Sequence, residues 1–239
     1  MAGRVTALEP QKRARDRVNV YLDGEFAFGL ASFVAANLKI GSQLSDEAIA
    51  ELRAADGVER AHNRALNFLS YRPRSEAEIR EYLIGKASPS GEPISEDVID
   101  EVVRRLDRAG LLDDAEFARY WCENRARFRP RGKRMLRYEL RQKGVASGLI
   151  EDVLEDYDEM AAVQKVAREQ ARRLRHLPPD TFRRRLYGRL ARRGFSSYLI
   201  QEALETLETP QDDLEASRGD LEAPQDDLEA PTAQDSPPT

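Results

Sequence analysis

Few side chains in this sequence have the types and spacing for covalent chemistry, and each has a simpler explanation. Gly132-Lys133 has the ending of a phosphate-cradling P-loop, in which backbone N–H groups hold the phosphates and a lysine reaches the outermost ones. Arg134 stands where that loop needs Ser or Thr and Arg127 where it needs its first glycine, so the cradle fails. Asp113-Asp114 has the composition of a metal or acid/base pair, yet Asp113 with Glu116 reads as a capping box that opens a helix, as Ser75 with Glu78 does. Cys122, the single cysteine, falls on an apolar helical pattern and reads as a small core residue. His62 and His176 cannot build a Cys/His zinc site with one thiol, and one thiol cannot form an internal disulfide. The GxGxxG, GxSxG and HExxH patterns do not occur. A protein without catalytic residues, metal or cofactor is expected.

The chemistry that the sequence does concentrate is positive charge. Residues 125–145, RARFRPRGKRMLRYELRQKGV, hold nine bases and one acid, Glu139. Residues 165–193 hold eleven bases against Glu169 and Asp180. The formal net charge of the chain is nevertheless -5, because ten acids and one base, Arg218, lie in residues 208–239. A face built only for solubility intersperses both signs, so two successive basic clusters point to a polyanionic or strongly acidic partner. Phe128, Tyr120, Trp121 and Tyr138 lie among the arginines and have the flat faces on which bases stack. Tyr120 and Trp121 also fit the apolar pattern of their helix and are expected in the core.

These charges must be positioned by helices. Residues 1–30 read as β-structure, with VTALEPQ followed by two alternating runs around Asp23-Gly24, the sequence of a type I′ hairpin turn. A helix over about 31–39 and a second one capped by Ser45 complete an N-terminal module, 1–56. Beyond it the chain repeats. A shift of 50 places Leu136, Leu140, Lys143, Gly144, Ile150 and Leu154 on Leu186, Leu190, Arg193, Gly194, Ile200 and Leu204. A shift of 57 places Ile79 and Leu83 on Leu136 and Leu140, and a shift of 51 places Ile99 and Val103 on Ile150 and Leu154. The difference is an insertion in the turn-rich SPSGEP at 88–93.

The fold class is therefore mainly α: three tandem three-helix repeats, 57–112, 113–156 and 157–207, stacked into an elongated curved array behind a small β-hairpin and helix module. Residues 208–239, with PQDDLEA at 210–216 and again at 224–230, carry too few apolar residues for a core and are expected to be a disordered acidic tail.

On a helix from Gly132 to Lys143, Lys133, Arg134, Arg137 and Arg141 share an arc of about 100° beside Leu136 and Leu140. Residues expected to meet the partner are Arg125, Arg129, Arg131, Lys133, Arg134, Arg137, Arg141 and Lys143 in the second repeat. Arg172, Arg183, Arg184, Arg192 and Arg193 join them from the third. The stretch LRQKGVASGLIEDVL has the plan of a helix-turn-helix, with Ser147 as the expected cap. Its second helix carries Glu151, Asp152, Glu155 and Asp156, however, and phosphates flanking a groove would repel it.

DDAEFARYWCENRARFRPRGKRMLRYELRQKGV resembles the central motif of the RecX regulatory proteins, with Asp113, Asp114, Phe117, Ala118, Arg125, Pro130, Gly132, Leu136, Glu139, Leu140, Lys143 and Gly144 in the family's pattern. ALNFLSYRPRSEAEIREYL, through Ala65, Leu66, Leu69, Arg72, Arg74, Ser75, Glu78 and Leu83, is similar to its opening motif. The resemblance covers about residues 60–207. The hairpin resembles an extension found in some members, and the acidic tail departs from the family pattern. The resemblance implies a protein that binds the RecA filament, lies along its groove and inhibits or remodels it. Strand exchange, ATP hydrolysis and repressor cleavage would thereby be damped, and with them recombination and the SOS response. The alternative is a module that binds single- or double-stranded DNA directly. The arginines could meet RecA, DNA or both. A cytoplasmic protein with no membrane partner is expected, because the chain has no uncharged apolar run of 18 residues and no signal-peptide h-region, and a monomer is expected.

Overall fold

A computed structural model describes residues 2–12, 14, 16–87 and 91–208. The expected tail lies, apart from Glu208, outside the described residues. Strands β1 (Gly3–Pro10), β2 (Arg17–Leu22), β3 (Glu25–Ala31) and β4 (Gln43–Leu44) form an antiparallel sheet in the order β3-β2-β1-β4. Asp23 and Gly24, at φ 52° and 91°, make the turn with both central residues left-handed, which the right-handed twist of a two-residue hairpin demands. Helix α1 spans only Ser32–Ala35, shorter than the expected 31–39. Its N-cap, Ala31, has no side-chain acceptor, and the chain must turn at once toward the sheet, where Gly41 N–H donates to the Val5 carbonyl and Val5 N–H to that of Ser42. The two-residue β4 was not anticipated from the sequence.

Helix α2 (Asp46–Leu69) starts where Ser45 Oγ accepts from Ala48 N–H. It then runs unbroken through the module boundary expected at 56/57. Its first half packs Ile49 and Leu52 on the sheet, and its second half packs Ala61, Ala65 and Leu66 into the first repeat. Buried Asp56 ties the two together, accepting from Ala31 N–H at 2.7 Å, Arg60 Nε at 2.7 Å and Arg17 at 3.0 Å. Burial raises its carboxyl, but these donors prevail and hold it below the ordinary value.

The repeats are α2–α3 (Glu76–Ile84)–α4 (Glu96–Arg108), α5 (Asp114–Phe128)–α6 (Lys133–Gln142)–α7 (Ser147–Glu155), and α8 (Glu159–Leu174)–α9 (Pro179–Ala191)–α10 (Ser197–Glu208). Each has its own apolar cluster. The expected register is observed in burial: Ile79, Leu136 and Leu186 are equivalent and fully buried, as are Leu83, Leu140 and Leu190. Gly144 and Gly194 end α6 and α9 at φ 76° and 90°, and Gly110 ends α4 at φ 66°. Two local expectations change. Ala146, not Ser147, is the N-cap of α7, with no side-chain bond. At α3, Ser75 Oγ accepts from Glu78 N–H, but the Glu78 carboxylate turns to Arg72 and Lys143 instead of completing a capping box.

The second helices of successive repeats meet end to end. Ser75 Oγ, at the start of α3, donates to the Lys143 carbonyl at the end of α6 at 2.6 Å, and a Cβ on Gly144 would overlap that of Ala77. One repeat later, Gly132 N–H at the start of α6 donates to the Arg193 carbonyl at the end of α9 at 2.9 Å. A Cβ on Gly132 would there overlap the Gly194 carbonyl, so only glycine permits this approach. At each joint the negative end of one helix dipole faces the positive end of the next.

Candidate functional site

Helix α6 is held by fully buried Leu136 and Leu140, which leaves its charged positions at the surface. Not all of those charges are available. Arg137 makes a two-pronged ion pair with Glu151 of α7, both bonds 2.6 Å long. The guanidinium rises and the carboxyl falls from their ordinary values because of this pair. The acids that argued against groove reading thus include a clamp on the basic helix itself.

Glu139 is a hub: Arg125 Nε donates to it at 2.7 Å and Trp121 Nε1 at 2.9 Å, while Arg131 Nε stands 3.8 Å away. Arg125 also lies over the Trp121 ring, 4.5 Å from its centroid. Trp121 and Tyr120 are partly buried, and Trp121 packs against the second repeat's cluster, whereas Phe128 and Tyr138 are exposed by 65% and 60%. Lys143 Nζ reaches back to Glu78 of the first repeat at 2.6 Å.

Of the expected site residues, four are therefore engaged with acids inside the molecule: Arg125, Arg131, Arg137 and Lys143. Arg129, Lys133, Arg134 and Arg141 form no side-chain hydrogen bond or ion pair among the described residues, and Arg134 and Arg141 are exposed positions of one stripe, seven residues apart. In the third repeat Arg172, Arg183, Arg184 and Arg192 are exposed. Arg193 is half-buried at the joint with α6; burial first, then Arg131 and Arg173, draw its guanidinium below the ordinary value against the pull of Glu169.

The end-to-end row supplies an internal control. Its first helix with flanks, 75–87, carries Arg80 and Lys86 against Glu76, Glu78 and Glu81. The equivalent 132–144 carries Lys133, Arg134, Arg137, Arg141 and Lys143 against Glu139 alone, and 179–194 carries six arginines against Asp180. The same fold position is built once with a slight excess of acid, so packing does not require the positive charge of the other two.

Among the described residues, no helix is long and apolar enough to cross a membrane, and no cluster of three or more His, Cys, Asp or Glu could hold a metal ion. The one thiol, Cys122, is buried, and burial followed by Glu139 and Glu123 pushes it up to about 11, far from a nucleophile at neutral pH.

Family models match along most of the chain: the RecX N-terminal domain at 3–45 and the first, second and third RecX three-helix domains at 61–106, 113–154 and 156–204. The chain is 33% identical over 214 residues to the regulatory protein RecX of Bacillus velezensis, covering 87% of this chain and 79% of the relative. Identity to that of Bacillus subtilis is 31% over 214 residues, with the same two coverages. A crystal structure of a regulatory protein RecX superimposes with a TM-score of 0.68 at 28% identity, covering 86% of this chain and all of the other. One from Lactobacillus salivarius gives 0.55 at 25% identity, over 64% of this chain and 97% of the other.

Proposed function

The chain belongs to the RecX family of regulatory proteins, and on that premise we propose that it binds the RecA filament through the basic face of its second and third repeats and inhibits or remodels it, without catalysing a reaction. The observation that carries this reading is the charge step along the end-to-end row, from slightly acidic at α3 to strongly basic at α6 and α9. A helical filament of protein and DNA is a repeating polyanion, and a row of repeats can meet it at several points. The unpaired cations, not the clamped ones, are the contacts: Lys133, Arg134 and Arg141 in the second repeat, with Arg172, Arg184 and Arg192 in the third.

Replacing Arg134 and Arg141 together by Glu tests this. Inhibition of RecA's DNA-dependent ATP hydrolysis should weaken, while the melting temperature stays near that of the parent because exposed charges contribute little to stability. A folded variant that inhibits as well as the parent would refute the assignment.

Direct binding to single-stranded DNA is the second reading, favoured by exposed Phe128 and Tyr138 beside unpaired arginines. Binding to DNA-free RecA separates the two. If phosphates are the contacts, each lost charge lowers the magnitude of the salt slope by roughly 0.7–0.9.

A further inference from the structure

The two joints between successive second helices are equivalent in backbone but not in charge. A shift of 57 carries Arg72-Pro73-Arg74 onto Arg129-Pro130-Arg131, and Glu78 onto Met135; a shift of 50 carries Lys143 onto Arg193. At the first joint Arg72 and Lys143 converge on the Glu78 carboxylate, at 2.9 Å and 2.6 Å. By the same shifts the second joint has Arg129 and Arg193 for its cations and Met135 in place of the acid, with Glu159 at the start of α6 and Glu169 near Arg193 as the acids around it. Neither Arg129 nor Arg193 has a side-chain hydrogen bond or ion pair among the described residues, and the buried Nε of Arg131, whose charge acts on Arg193, has no hydrogen-bond acceptor, Glu139 standing 3.8 Å away.

The start of α6 breaks a further local rule. Its first turn holds Lys133 and Arg134 and no acid, where the helix dipole favours anions. Glu159 accepts from the Lys133 N–H at 2.8 Å and is the acid seated there. Such a conflict with local preference is expected where a site serves binding.

We propose that the joint between the second and third repeats takes a carboxylate in the position that Glu78 fills one repeat earlier, and that residues 209–239 of the same chain supply it. The internal precedent favours carboxylate over phosphate, since the matching pair of cations already holds one. The occupant follows from charge and connectivity. Residues 209–239 carry nine acids against one base, arranged as two PQDDLEA segments with GDLEA between them. They continue from α10, which packs on α8 and on α9, the helix that leads to Arg193. Thirty-one residues span up to roughly 100 Å at full extension, and tethering sets an effective concentration on the order of millimolar. The inference rests on reading this face as the partner-binding one: the segment covers it in the free protein and is displaced by the filament.

A nitroxide on Ser217→Cys of the full chain reports the contact, because buried Cys122 does not compete for the label. Loss of amide signal is expected at 129–135 and 193–195 and not at the equivalent 72–78 and 143–145. The loss should vanish when Arg129 and Arg193 are replaced by Met, when the acids of 209–239 are replaced by their amides, and near 1 M salt, where the Debye length is about 3 Å. No signal loss, or equal loss at both joints, overturns the proposal. So does a response of the second joint to added oligothymidylate that is the same with acidic and amidated segments. RecA is absent from this measurement, so a chain whose segment does not dock but which still inhibits the filament overturns this inference alone.

Discussion

Glu78 shows what one residue can do in a stacked array. It caps nothing; it joins Arg72 of its own repeat to Lys143 of the next. Burial raises its carboxyl, yet the bonds from Arg72 and Lys143 outweigh burial and hold it below its ordinary value. A group depressed in this way adds stability that is present above its unfolded value of about 4.3 and is lost as the pH falls through the folded one. Glu78→Gln should therefore cost on the order of 1–2 kcal/mol at pH 7, less than a fully buried pair because both cations are partly solvated. The difference should shrink at a pH well below the ordinary glutamate value of about 4.3, as the pH falls through the depressed folded value and the parent's carboxyl is itself protonated. Urea unfolding at the two pH values checks this, and a cost independent of pH would show that the charge is not what the residue contributes. The helical pattern of 76–84 identifies Ser75 as a cap and Glu78 as its partner, but the competing donors lie 6 and 65 residues away.

At the scale of the element, two glycines in helical sequence have opposite meanings. Gly57 lies inside α2 with open space where its Cβ would be, so Gly57→Ala should stabilise by roughly 0.5–1 kcal/mol through helix propensity. Gly194 ends α9 at φ 90°, and its Cβ would come within 2.7 Å of that of Met135 at the start of α6. Gly194→Ala should destabilise by more than Gly57→Ala stabilises, because it combines backbone strain with a clash at the joint. Thermal melts of the two variants in parallel make the comparison, and a neutral Gly194→Ala would mean that the joint can open without cost. The sequence marks both glycines, and placed Gly57 near a domain boundary. Continuity of α2 was not legible because it depends on Asp56 meeting Arg17 and Ala31 of the sheet.

For the whole molecule, three clusters in series mean that damage to one should spread to its neighbours through the joints. Leu140 and Leu190 are equivalent and fully buried in different clusters. Leu140→Asp, in the middle repeat, should lower the cooperativity of the entire unfolding transition. Leu190→Asp, in the last, should release the third repeat first and split the transition. Each buries an unpaired carboxylate at a cost of several kcal/mol, on the order of what a repeat has to lose. Circular dichroism melts distinguish the two patterns, and variants that melt like the parent would contradict the shared register.

What the sequence determined by itself was local or periodic. The Asp23-Gly24 turn, the caps at Ser45 and Asp113, the helix stops at Gly110, Gly144 and Gly194, and the 50- and 57-residue registers all follow from neighbours within a turn or from one pattern recurring. Such signals survive without knowledge of the fold, because backbone geometry and apolar spacing are properties of short segments. Which cations are neutralised depends on packing: Arg137 is paired by Glu151, Arg125 by Glu139 and Lys143 by Glu78, while Arg134 and Arg141 remain open. The end-to-end order of α9, α6 and α3, the pairing of β4 with β1 and the missing acid at the second joint belong to the same class. The physical reason is range. A helical period gives the face on which a charge lies, but an ion pair forms only within about 4 Å, and packing alone sets distances that short between segments far apart in the chain.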